Sequence, residues 1–255
     1  MKTKRSVLPQ ATTGRRAGFT LVELAVVGAT LAVLALVCVP ALAGAKGESR
    51  LAQCADNIKQ YCLALQMFGN ENNDKLPVNS QAAFWAWDLA WSTGNSVTQY
   101  VSFRKFYCPG TAVRYSDQDN SNLWNYSPGY LHVSGYVPML SGSPITATNQ
   151  NTTLTPQPIS IVTGYLPAPA AAQRVLVADG TISLSSSDSQ AGFRAGAKYN
   201  FVTVQGGYPV PSITPHLNGF VPAGGNLGML DGHVQWRRFA DMDQHGVPGP
   251  PGFWW

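Results

Sequence analysis

Apolar residues run almost unbroken from Phe19 to Ala43, 25 positions interrupted by one carboxylate, Glu23. A helix needs about 20 apolar residues, rising about 1.5 Å each, to cross bilayer hydrocarbon. The pattern therefore predicts a transmembrane helix over 19–45. An ionisable group inside it costs on the order of 2.5–3.5 kcal/mol, so Glu23 is expected to have a partner. The periodicity then changes. Leu51, Ala55, Ile58, Cys62 and Leu65 recur at three- and four-residue steps, with Lys59, Gln60 and Gln66 elsewhere, which predicts an amphipathic helix over 46–72. Asn70 to Asn73, followed by Leu76-Pro77, form its stop signal.

Beyond residue 73 the pattern is that of short strands and loops. Ala82 to Trp91 reads as a short helix with Phe84, Trp87, Asp88 and Trp91 on one side, and Val101 to Tyr107 as a strand. Ser, Thr, Pro, Asn and Ala dominate 141–173, which reads as a long surface excursion. Asp179-Gly180 and Asp231-Gly232 each separate two apolar runs, and Asp-Gly favours the two-residue type I′ turn of a hairpin. The Pro/Gly-rich tail from Gly246 argues against a helix or a central strand, while Phe253, Trp254 and Trp255 offer aromatics to pack back on the head.

Charge sharpens this division. Five basic residues (Lys2, Lys4, Arg5, Arg15, Arg16) and no acidic ones precede Phe19, which predicts a cytoplasmic N-terminus. Without residues 1–18 the chain carries 12 basic against 13 acidic side chains, about −1 instead of +4. The pI near 8.9 thus belongs largely to the leader and gives no support to nucleic-acid binding. The 183 residues of 73–255 suffice for one substantial core.

Arg16-Ala17-Gly18-Phe19-Thr20-Leu21-Val22-Glu23 resembles the processing site of type IV pilins and type II secretion pseudopilins. The resemblance implies cleavage by a prepilin peptidase between Gly18 and Phe19, and N-methylation of Phe19. Glu23 becomes the fifth mature residue and Pro40 the twenty-second, positions where the family keeps an acid and often a helix-disrupting proline. It further implies an α+β pilin-like fold: a long N-terminal helix, transmembrane then amphipathic, packed on an antiparallel β-rich head at 73–255. Its partners would be the inner membrane, other pilin or pseudopilin subunits and an assembly platform. Leu230-Asp231-Gly232-His233-Val234 also resembles a prepilin-type group with a His-x9-Asp-Gly segment, but 14 residues rather than nine separate His216 from Asp231, so no family role passes to it.

Cysteine spacing limits the disulfides. Cys54 and Cys62 are about 12 Å apart along a helix axis, beyond the roughly 7 Å that a bridge allows. A bridge in the head must therefore use Cys108 with one of them; Cys54–Cys108 is favoured, three separate thiols being the alternative. No phosphate-binding loop, His-Glu-x2-His or Cys-x2-Cys motif occurs, and the four histidines are scattered. Asp179 and Asp231 are accounted for by turns rather than as a catalytic pair, so no enzyme activity is expected. Asp117, Asp119 and Asn120, and Asp241 with Asp243, offer calcium-type oxygens without a full binding loop, so neither cofactor nor metal is expected.

The expected function is a pseudopilin-like structural subunit of a secretion pseudopilus or pilus-like filament. It would be single-pass in the inner membrane, with the head periplasmic or extracellular. In this reading the Phe19 amine pairs with Glu23 of a neighbour while Leu21, Leu24, Val27, Leu31 and Leu34 pack helix on helix, and Pro40 lets the helix bend. Two alternatives stand beside it: a surface pilin or adhesin whose Trp85, Trp87 and Trp91 grip polysaccharide, or a secreted soluble protein cut after Ala43.

Overall fold

In the computed structural model the described residues are 20–80, 85–142, 151–161, 164–206, 208–245 and 251–255; at 35–46, 159–161 and 164–166 the description covers the backbone alone. The chain divides into two compact units, Met1–Gly47 and Glu48–Trp255.

Helix α1 (Leu21–Glu71) contributes to both units. A capping box starts it. The Thr20 hydroxyl accepts the Glu23 N–H at 3.2 Å, while Glu23 Oε2 accepts the Thr20 N–H at 2.8 Å and its hydroxyl at 2.9 Å. Between Leu21 and Leu34 large apolar side chains stand open, from Leu21 at 85% exposed to Val27 at 48%.

The expectation of a transmembrane segment at 19–45 is corrected. Among the described residues no helix is long and apolar enough to cross a membrane. The described side chains from Leu21 to Leu34 cover about 21 Å of helix axis, short of the roughly 30 Å of bilayer hydrocarbon. The single-pass inner-membrane placement and the pilin-like fold built on such a span are corrected with it. The class is α+β, and the head is divided among several small sheets rather than built on one.

In the second unit α1 ends where Asn73 and Asp74 take φ of 54° and 69°, a left-handed exit that brings the Asp74 N–H to the Gly69 carbonyl at 2.9 Å. Residues 82–84 of the expected short helix lie outside the described residues; β1 (Asp88–Ala90) occupies its later part, and helix α2 (Trp91–Val97) starts where that helix was to end. The expected strand at 101–107 is a 3₁₀ turn, Phe103–Phe106. Next come α3 (Asp117–Trp124), β2 (Leu131–Val133) and β3 (Tyr136–Pro138). The polar excursion contains β4 (Ile159–Ile161) and β5 (Gly164–Leu166), which pair antiparallel. It is also anchored by the buried Asn151, whose amide donates to the Met139 and Val175 carbonyls. Then follow β6 (Val175–Asp179), β7 (Ile182–Ser183), α4 (Gln190–Arg194), β8 (Leu217–Asn218) and β9 (Val221–Pro222). The last elements are β10 (Gly224–Met229), β11 (Val234–Arg238), β12 (Gln244–His245) and β13 (Gly252–Trp254).

The central sheet is antiparallel in the order β11-β10-β6-β3. One face meets α1, whose Cys54, Ile58, Tyr61, Cys62 and Leu65 are fully buried. The helix follows β10 through alternate residues. Asn226 reaches the Leu51 carbonyl, Gly228 faces Ile58 and Cys62, and the Leu230 carbonyl accepts Gln66 Nε2 at 2.9 Å. Each buried large aliphatic contributes about 1.5–3 kcal/mol and each such hydrogen bond about 1 kcal/mol, so the apolar contacts dominate this docking. The opposite face carries Val137, Ala178, Leu227 and Met229 against Trp87, Phe253 and Trp255.

Both Asp-Gly expectations need correction. β6 pairs with β10 and β3, whereas β7 pairs with β13, so Asp179-Gly180 joins two different sheets and closes no hairpin. Gly180 also lacks the positive φ that a type I′ turn requires. The second site does close a hairpin, β10–β11, but through three residues. The Gly232 N–H bonds the Met229 carbonyl at 2.8 Å and Gly232 takes φ 89°, a type I turn with a bulge. The tail, not expected to hold a central strand, supplies β13 at the centre of the sheet β12-β13-β7, because the Pro run ends at Pro251 and 252–254 are free to pair on both sides.

Candidate metal centre

Four side chains from distant parts of the sequence converge behind the central sheet. Cys54 comes from α1, two turns before the Cys62 contact with β10. Cys108 precedes the 3₁₀ turn Pro109–Val113, and the Gly110 N–H points at its sulfur at 3.3 Å. Asp179 ends β6. His216 stands before β8 with φ of 54°, its carbonyl accepting the Ala223 N–H at 2.9 Å and its ring edge-on to Trp236.

One donor atom from each lies within 4.8 Å of all the others. Asp179 Oδ2 is 3.1 Å from His216 Nε2 and 3.2 Å from Cys54 Sγ, and Cys108 Sγ is 3.3 Å from His216 Nε2. The outer groups are also engaged: the Tyr136 hydroxyl donates to Cys54 Sγ at 3.5 Å, and the Gly180 N–H to Asp179 Oδ1 at 3.0 Å. Three members are almost fully shielded from solvent, with Cys54 at 0%, Cys108 at 3% and Asp179 at 2% exposure, and the His216 side chain is 7% exposed.

Electrostatics follow from this enclosure. Burial opposes charge on His216, yet the Asp179 carboxylate and the Cys54 sulfur overcome it and raise the imidazole to about 10. Burial, then the bond to Cys54, pushes the Cys108 thiol well above its ordinary value. Burial also resists ionisation of Cys54, but the Cys108 thiol and the His216 cation lower it overall. Three polar contacts link the four groups in a chain, Cys54 to Asp179, Asp179 to His216 and His216 to Cys108.

The bridge expected between Cys54 and Cys108 is not formed; both are free thiols brought into one cluster. The sequence marks Asp179 as a turn residue and gives His216 no role. Only the cysteine pair carried a signal in the sequence, since nothing local marks a strand-end aspartate or a lone histidine as a ligand.

The other expected residues lie elsewhere. Gly18 and Phe19 are outside the described residues, and α1 continues through Pro40. Glu23 is bonded within its own cap. Asp231 is half-exposed and paired with His233. Of the calcium-type oxygens, Asp119 completes the Ser116 cap of α3, Asp117 faces Arg104 at 4.0 Å, and Asp241 binds Arg238 at 2.8 Å.

A cleft of about 440 Å³ lies beside the cluster, lined by Trp85, Trp87, Tyr115, Tyr126, Tyr130 and Tyr208 among others. Tyr107, Gly180 and Pro215 also line it, and each is the chain neighbour of one cluster residue. Trp91 is not in that lining. It stacks on His132 (4.2 Å between centroids), which stacks in turn on Trp124 (4.0 Å). No family model, curated protein or solved structure matches the chain.

Proposed function

We propose that the chain is a structural subunit resembling pseudopilins, assembling through the N-terminal part of α1 into a filament that carries the Glu48–Trp255 unit. One observation carries this reading: eight large apolar side chains between Leu21 and Leu34 are each at least 48% exposed. A helix apolar around its circumference is stable only when covered, and the same helix from further copies supplies cover of matching length. In this proposal prepilin peptidase frees Phe19, and its amine meets Glu23 of a neighbour. The subunit's work is mechanical, and the subunit itself is not an enzyme.

The test combines Glu23→Ala with N-terminal sequencing. The mature chain is expected to start at Phe19 in both forms, with the variant processed but absent from filaments. Normal incorporation of Glu23→Ala discards the pairing mechanism, and a native start at Gly44 discards the whole reading.

The aromatic cleft supports a second reading, a head that binds carbohydrate. Aromatic faces such as that of Trp85 offer flat apolar anchors for sugar rings. Polysaccharide pull-down with the full chain checks it: Trp85→Ala should release the glycan, whereas equal retention by the variant removes the reading.

A further inference from the structure

We propose that Cys54, Cys108, Asp179 and His216 form a structural zinc site, one that fixes the wall of the aromatic cleft. It stands independently of how the subunit assembles.

The donor set is two sulfurs, one imidazole nitrogen and one carboxylate oxygen, each within 4.8 Å of the other three. Tetrahedral zinc takes these donors at about 2.3 Å for sulfur, 2.0–2.1 Å for nitrogen and 2.0–2.2 Å for oxygen. Those bond lengths imply donor–donor edges of about 3.6 Å for sulfur with nitrogen or oxygen and about 3.4 Å for nitrogen with oxygen. The corresponding edges here are 3.3, 3.2 and 3.1 Å. These three edges need to open by only about 0.3–0.4 Å to admit the ion.

The surroundings also suit a metal better than a bare disulfide. A disulfide would use the two sulfurs and leave a buried carboxylate and imidazole with no part in it. A cation uses all four. The Gly110 N–H and the Tyr136 hydroxyl are placed to donate to the sulfurs, and the Gly180 N–H holds the second carboxylate oxygen, the outer hydrogen bonds that orient metal ligands. Four protein donors complete a tetrahedral shell and leave no open position for a substrate, which assigns the site to structure rather than catalysis. Mixed sulfur, imidazole and carboxylate ligation favours zinc over calcium or magnesium, which prefer oxygen alone.

The consequence for the cleft is direct. Cys108, Asp179 and His216 adjoin Tyr107, Gly180 and Pro215 in its lining. A bound ion would therefore tie three segments of the cleft to α1 through Cys54.

The experiment is zinc titration of the full chain, purified under reducing conditions, with metal content measured after removal of excess ion. About one equivalent of zinc per chain is expected, and cobalt substitution should give the visible thiolate and ligand-field bands of a tetrahedral site. Cys108→Ser and His216→Gln should abolish stoichiometric retention. Tyr136→Phe, which removes only a donor to Cys54, should weaken binding by about 10–100-fold. Cys62→Ala, outside the cluster, should bind as the parent does. Absence of zinc uptake by the folded parent overturns the proposal. So does a Cys54–Cys108 disulfide that forms on air oxidation as readily with excess zinc present as without it. Full retention by Cys108→Ser or His216→Gln overturns it equally.

Discussion

Replacing Gly228 by alanine tests how α1 is seated on the central sheet. An added Cβ would stand 2.3 Å from Cys62 Sγ and 2.7 Å from the Ile58 γ-methyl. Ordinary contact begins near 3.4 Å, so the sulfur must retreat by about 1 Å. Cys62 and Ile58 are fully buried on a helix that contacts the sheet at several points, and neither short side chain can swing clear. The helix itself must shift. Overpacking of this kind costs about 1–3 kcal/mol, and two simultaneous contacts with side chains anchored close to the backbone place the expectation at about 2–3 kcal/mol. In a unit of this size each kcal/mol lowers Tm by about 2–4 °C, so Gly228→Ala should melt about 4–12 °C below the parent. Thermal and urea unfolding of the full chain would measure it. Cys62→Ala removes the nearer obstacle, so in a double-mutant cycle Gly228→Ala should cost at least about 1 kcal/mol less on that background. A Gly228→Ala protein within about 0.5 kcal/mol of the parent, or additive effects in the cycle, would refute the close seating of the helix.

Acidification should destabilise the head. Burial holds His132, between two indole rings, and His245, stacked on Trp255, below their ordinary value of 6.5. The unfolded chain therefore binds more protons just below that value, and stability, intact above it, should fall as pH drops from about 6.5 toward 5. His216, raised to about 10 in the folded chain, stays charged there while its unfolded form titrates near 6.5, so it opposes the fall near 6.5 and does so less as pH drops. Urea midpoints at several pH values would measure the fall, and His132→Phe should flatten it; an unchanged slope contradicts the assignment. Trp254→Ala should cost about 3–5 kcal/mol, because the ring is fully buried among Phe201, Phe239 and Tyr199 and donates to Ser183 Oγ at 2.9 Å. Trp236→Ala, at a ring 38% exposed, should cost markedly less in the same denaturation assay, and equal losses would refute the distinction.

The lower half of α1 was legible because a helix that buries one face must repeat its apolar residues, and Ile58, Cys62 and Leu65 do so. The β10–β11 hairpin was legible because Asp231-Gly232 separates strands that are also spatial neighbours. Asp179-Gly180 carries the same local signal but a different fate. The following residues find a better partner in β13, which lies some 70 positions later, and a turn rule has no access to that choice. Trp91 shows the same limit: its apolar spacing suggested a helix ending there, but pairing of β1 with β2 makes the preceding residues a strand. The candidate site was half visible. Thiol arithmetic singled out Cys54 and Cys108, while Asp179 and His216 acquire their meaning only from tertiary closure.

The rims of the central sheet bear on how crowded heads behave. One edge strand, β3, ends in Pro138, which lacks a donor for further pairing; the other, β11, carries Arg237 and Arg238. Neither border invites a foreign strand. Copies held close together could thus touch repeatedly without their central sheets zipping edge to edge into cross-β aggregates.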